Sequence, residues 1–122
     1  MGKKIVIIED DNILQDTLKK FLSTKGYEVS GAINGEDGVE LVKKENPNLL
    51  LLDIVLPKKD GFGVIKDLKA DESTKNIPIV LLTNLGNLDD VQKALDLGAT
   101  TYLIKADYKL EEIVQKIEET LN

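Results

Sequence analysis

The chain contains no cysteine and no histidine. The first absence excludes disulfides, thiol catalysis and thiolate metal sites. The second excludes histidine general bases, Ser-His triads and imidazole-ligated zinc. Any phosphohistidine in this protein's chemistry must therefore sit on another molecule. Long apolar runs are also missing: stretches such as Ile5-Ile8 and Leu49-Leu52 fall far short of the roughly 20 residues a membrane span needs. Met1-Gly2-Lys3-Lys4-Ile5 lacks the apolar region of a signal peptide. Val6 breaks the myristoylation pattern. The 16 Lys and Arg against 22 Asp and Glu leave a net charge of -6. Such a surface repels phosphate backbones and anionic lipid heads, so neither direct nucleic-acid binding nor membrane contact is expected. The lysine pairs, from Lys3-Lys4 to Lys58-Lys59, are scattered and read as solvated faces. A cytoplasmic protein is expected.

What remains is one ordinary domain of 122 residues, expected to span 1-122 with no attached effector. Short apolar runs read as strands buried on both faces: Ile5-Ile8, Leu49-Leu52, Ile79-Leu82 and Tyr102-Ile104, with a weaker one at Tyr27-Ala32. Between them lie stretches with helical spacing. Leu14, Leu18, Phe21 and Leu22 form one such stripe, and Leu110, Ile113, Val114, Ile117 and Leu121 form the last. Asn34-Gly35 opens the second helix and Asn46-Pro47 closes it, while Gly26 and Gly98 sit where helix C-terminal caps belong. Five β-α repeats predict an α/β fold: a parallel sheet with helices on both faces and right-handed crossovers.

In an open parallel sheet, ligands bind beyond the carboxyl ends of the strands. Glu9, Asp10 and Asp11 follow the first strand, Asp53 the third, Thr83 the fourth and Lys105 the fifth. The second delivers only Ala32-Ile33-Asn34, which suits an edge strand away from the site. Taken singly, each polar residue is a turn former, a cap or a solvated group. Together, carboxylates converging from two strands would repel one another unless a cation or proton intervened. Oxygen ligands alone favour a hard ion such as magnesium. Metal and lysine would offset charge on phosphoryl oxygens, Thr83 could donate a hydrogen bond, and a carboxylate would be the acceptor. Asp53, at the tip of the central run, is the candidate acceptor, with Glu9 and Asp10 holding the metal.

Four pieces, in order, then carry a resemblance: Ile5-Val6-Ile7-Ile8-Glu9-Asp10-Asp11, Leu52-Asp53-Ile54-Val55-Leu56-Pro57-Lys58-Lys59-Asp60-Gly61, Val80-Leu81-Leu82-Thr83 and Tyr102-Leu103-Ile104-Lys105. The chain resembles a response-regulator receiver domain of two-component signalling over essentially its whole length. The resemblance implies a doubly wound, flavodoxin-like sheet of five parallel strands in order 2-1-3-4-5, flanked by five helices. It implies that Asp53 takes a phosphoryl group from a histidine kinase or a histidine phosphotransfer protein, with magnesium required. The metal would be held by Glu9, Asp10, Asp53 and the backbone carbonyl of Val55. Thr83 and Lys105 would contact the phosphoryl group, and Tyr102 matches the aromatic switch that turns inward as Thr83 moves. Output is expected through a downstream protein partner on the face of the fourth helix, fifth strand and fifth helix. Asp11 is expected outside the metal pair, as a first-turn acid of the first helix.

Four positions depart from, or tune, the family's pattern. Ala106 follows Lys105 where proline, often in a cis bond, is usual; a cis bond without proline costs about 3 kcal/mol, so a trans or strained loop is expected. Asn84 replaces the small residue usual after Thr83. Val55 and Leu85, two residues beyond Asp53 and Thr83, are both apolar and so unable to orient an attacking water, which predicts slow self-dephosphorylation. The expected activity is that of a switch rather than an enzyme. Three alternatives stay open: a magnesium phosphatase with an aspartyl nucleophile, a flavodoxin-like cofactor binder, and a receiver that is never phosphorylated. Val55 stands where the phosphatase wants a second acid. Glu9-Asp10-Asp11 stands where the cofactor binder wants a phosphate-cradling loop.

Overall fold

The computed structural model describes residues 2–84, 88–105 and 109–121. Leu85 and Ala106, and with Ala106 the Lys105-Ala106 bond, lie outside the described residues. Among the described residues strands and helices alternate: β1 (Lys4–Ile8), α1 (Asn12–Thr24), β2 (Glu28–Ala32), α2 (Gly35–Glu45), β3 (Leu49–Leu52), α3 (Gly61–Lys69), β4 (Ile79–Thr83), α4 (Leu88–Leu97), β5 (Thr101–Ile104) and α5 (Leu110–Leu121). All strand pairs are parallel, in the order β2-β1-β3-β4-β5. The expected sheet is thus observed, with strand ends within a residue of the apolar runs. Among the described residues no helix is long and apolar enough to cross a membrane.

The central strands are apolar except for Lys4 at the start of β1 and Thr83 at the end of β4, because both faces are covered. Side chains alternate across a strand. Val6, Ile8, Leu50, Leu52, Ile79 and Leu81 therefore face one way and pack with Val39, Val42, Ile65, Leu68 and Ala94 of α2, α3 and α4. Ile5, Ile7, Leu49, Leu51, Val80 and Leu82 face the other way and pack with Leu18, Leu22, Ile113, Val114 and Ile117 of α1 and α5. β2 is an edge strand and half-buried along most of its length, which accounts for its weak apolar signal.

Local signals set the helix ends. Asn34 caps α2, its Oδ1 accepting from the Asp37 backbone N–H at 2.8 Å. Asn46 ends α2 in the left-handed region at φ 46°, and Gly26 and Gly98 follow α1 and α4 at φ 93° and 122°. Asp11 differs from expectation. It is the N-cap of α1, not a residue of its first turn, and its Oδ1 accepts from the backbone N–H groups of Ile13 and Leu14. A short polar side chain immediately before a helix satisfies orphan N–H groups better than one inside it.

Candidate functional site

The sheet carries its polar residues to one edge. Beyond β1 the ladder runs one step further, the Glu9 N–H donating to the Ala32 carbonyl at 3.1 Å. Beyond β3 the Asp53 N–H donates to the Ile8 carbonyl at 3.0 Å. These bonds hold Glu9 and Asp53 in strand-like backbone on neighbouring strands, at the same end. Their side chains are almost wholly buried, with residue exposures of 1% for Glu9 and 5% for Asp53, whereas Asp10 is exposed. Carboxylate oxygens of Glu9, Asp10 and Asp53 all lie within 4.8 Å of one another.

Lys105, directly beyond β5, reaches across to both buried acids. Its Nζ lies 2.6 Å from Glu9 Oε1 and donates to Asp53 Oδ2 at 3.1 Å. Glu9 Oε1 thus meets the ammonium as one half of a buried ion pair. Glu9 Oε2 accepts from the Asp11 N–H at 3.0 Å, and Asp53 Oδ1 accepts from the Val55 N–H at 3.3 Å. Burial pushes the Glu9 carboxyl up to about 7, with the charge of Asp53 adding to the rise, against the lowering effects of Lys105 and the Asp11 N–H. Burial alone would lower the Lys105 ammonium, but Glu9 and Asp53 outweigh it and hold it above the ordinary lysine value.

Three oxygen-donor acids at this spacing, in a chain without cysteine or histidine, fit a hard divalent cation. Among the described residues, Glu9, Asp10 and Asp53 are therefore placed to hold such an ion.

The remaining predicted residues divide by location. Thr83 ends β4, buried, one strand over from Asp53. Tyr102 on β5 is exposed at 37%, and Val55 stands out into solvent at 74%. Asn84 is exposed beside Thr83. Leu85 and Ala106 fall outside the described residues. Sequence reasoning missed two features. One is the bridge from Lys105 to Glu9, a contact between distant segments with no local signature. The other is Gln15, whose Nε2 donates to the carbonyls of Glu9 and Ala32. Its only signal in the sequence is a polar side chain next to the apolar stripe of α1.

The sequence profile of the response regulator receiver domain matches residues 5–118. The chain is 38% identical over 118 residues to the DNA-binding dual master transcriptional regulator RpaA of Synechocystis, a match covering 97% of this chain and 48% of that protein. The BeF3-activated N-terminal receiver domain of Klebsiella pneumoniae RstA superposes with a TM-score of 0.86 at 31% identity, covering 98% of each chain. The receiver domain of the sensor histidine kinase PA1611 of Pseudomonas aeruginosa, solved with magnesium coordinated in its active-site cleft, gives 0.88 at 26% identity, covering 99% of this chain and 98% of that one.

The chain spans about half the length of the curated relatives it matches first. That corrects one expectation. The acidic charge argues against direct nucleic-acid binding, yet a matched relative is a DNA-binding regulator. The physical reason is one of range: a charge of -6 describes these 122 residues and says nothing about a surface carried elsewhere. Fold, acid cluster and profile agree, and the chain belongs to the response regulator receiver domain family.

Proposed function

We propose that residues 1–122 form one receiver unit, a cytoplasmic phosphorylation switch rather than an enzyme, in which Asp53 accepts a phosphoryl group from the phosphohistidine of a histidine kinase or phosphotransfer protein. The observation that carries this is the placement of Asp53: buried, at the tip of the central strand, and held at 3.1 Å by Lys105. An Asp53 carboxylate oxygen bonds to phosphorus as the bond from phosphorus to the donor's imidazole nitrogen breaks; that nitrogen keeps the bonding pair, and the proton already on the ring's other nitrogen leaves the imidazole neutral. Glu9, Asp10 and Asp53, with the Val55 carbonyl, would hold magnesium, whose charge offsets that of the phosphoryl oxygens. Lys105 gives up its contact with Glu9 and turns to a phosphoryl oxygen. Thr83 donates its hydroxyl to another, and Tyr102 swings inward behind it.

A phosphoryl group can bias two conformations only through contacts that differ between them. Thr83, Lys105 and Tyr102 provide those differences. The DNA-binding relative supports a transcriptional output for the full-length protein, with the receiver as its control element.

Incubation with magnesium and acetyl phosphate, followed by intact-mass measurement, tests the acceptor. One phosphoryl adduct is expected on the native chain and none on Asp53→Asn. An adduct that persists in Asp53→Asn would remove Asp53 from the role.

A further inference from the structure

Two neighbouring metal-binding acids, Glu9 and Asp10, sit where β1 leaves the sheet. Their aim depends on the peptide plane between them, and that plane is held by a side chain rather than by the sheet. Past Ala32 the β2 backbone turns away into the Asn34 cap of α2, so the ladder ends. The Glu9 N–H still finds the Ala32 carbonyl, but the Glu9 carbonyl has no strand neighbour to serve it. Among the described residues its donor is Gln15 Nε2, at 3.0 Å. The same Nε2 donates to the Ala32 carbonyl at 2.8 Å. One amide nitrogen from the second turn of α1 thus clamps the end of β1 to the end of β2.

β2 makes room for that clamp. A Cβ on Gly31 would stand 2.4 Å from Gln15 Oε1 and 2.6 Å from its Cδ. The missing side chain at position 31 is the space the Gln15 amide fills. No other side chain among the described residues bonds to the backbone of either metal-binding acid of this loop.

We propose that Gln15 is a positioning residue for the divalent-metal site: it touches neither metal nor phosphoryl group but fixes the peptide from which Glu9 and Asp10 project. The inference rests on the magnesium reading above. Magnesium demands near-ideal octahedral geometry, whereas calcium accepts irregular and larger shells. Loosening the loop must therefore harm magnesium more than calcium. A merely structural role for Gln15 would lower stability and leave the ratio of the two affinities unchanged.

The test is calorimetric titration of magnesium chloride and of calcium chloride into the folded native chain, Gln15→Met and Gly31→Ala. Methionine keeps the length of glutamine and removes the donor. Gln15→Met is expected to weaken magnesium about tenfold, in the range found for groups that orient metal ligands, and calcium distinctly less. Gly31→Ala, which removes no hydrogen-bonding group and only displaces the amide, is expected to shift both affinities in the same directions by less; it carries the question alone if Gln15→Met does not fold. Magnesium affinity within about twofold of native, or an equal loss for both ions, would overturn the role of Gln15 while leaving the metal site intact. A native chain that binds no magnesium would overturn the metal reading itself, and this inference with it.

Discussion

Lys105 holds its ammonium between two buried carboxylates, 2.6 Å from Glu9 and 3.1 Å from Asp53. It is the cation that lets both acids stay buried when no metal is bound. Removing one partner of a buried ionic cluster leaves uncompensated charge, which is costlier than losing an exposed pair. Lys105→Met is therefore expected to lower unfolding stability by about 3 kcal/mol in EDTA. Magnesium should restore much of that loss, because a metal replaces the missing charge and no longer competes with the lysine. Urea midpoints with and without magnesium check this; an equal loss under both conditions would contradict it. Val55 poses the opposite case, an apolar side chain 74% exposed beside the acceptor. It cannot hold a water for attack on an aspartyl phosphate. Self-dephosphorylation should be slow, and Val55→Gln should speed it about tenfold, less than a true general base supplies. The decay of the phosphoryl adduct after removal of donor measures both.

At the scale of elements, legibility followed the kind of force involved. β3 was readable because Leu49–Leu52 is buried on both faces and so is apolar throughout. Asp53 was readable with it, since a charge after such a run must end at the sheet edge. β2 was fainter, being an edge strand that packs one face poorly. Asp11 was misplaced by one position, since an acid at a helix start serves as cap or as first-turn charge and only the backbone conformation decides. Gln15 and the reach of Lys105 were not readable, because each depends on where distant backbone happens to stop. The start of α2 gives an element-level prediction. Asn34 is buried, accepts the Asp37 N–H at 2.8 Å, and donates Nδ2 to Asp37 Oδ2 at 2.9 Å. Asn34→Ala loses the cap and strands its partners, at a cost of about 1–2 kcal/mol. The loss should appear in urea unfolding with little change in magnesium affinity, since Asn34 faces α2 rather than the acid cluster.

For the whole molecule, the acid cluster and the fold are thermodynamically one object. Both halves of the core hang on the strands whose ends carry Glu9 and Asp53, so an ion held there is held only by the folded chain. A ligand that binds the native state alone stabilises it by RT ln(1 + [L]/Kd), about 2.7 kcal/mol at a hundredfold excess over Kd. Raising magnesium to that excess should move the entire unfolding transition as a single step, because sheet and site unfold together. In Asp53→Asn the shift should shrink strongly, since a neutral amide replaces one of three acids. The metal-free variant should gain stability or hold level, because one of two mutually repelling buried carboxylates has gone while Lys105 still faces Glu9. Loss of the magnesium response together with preserved metal-free stability separates a site defect from a folding defect. If Asp53→Asn instead kept the full shift, the metal would be held without the acceptor, and the link between ion and phosphoryl transfer at this sheet edge would be broken.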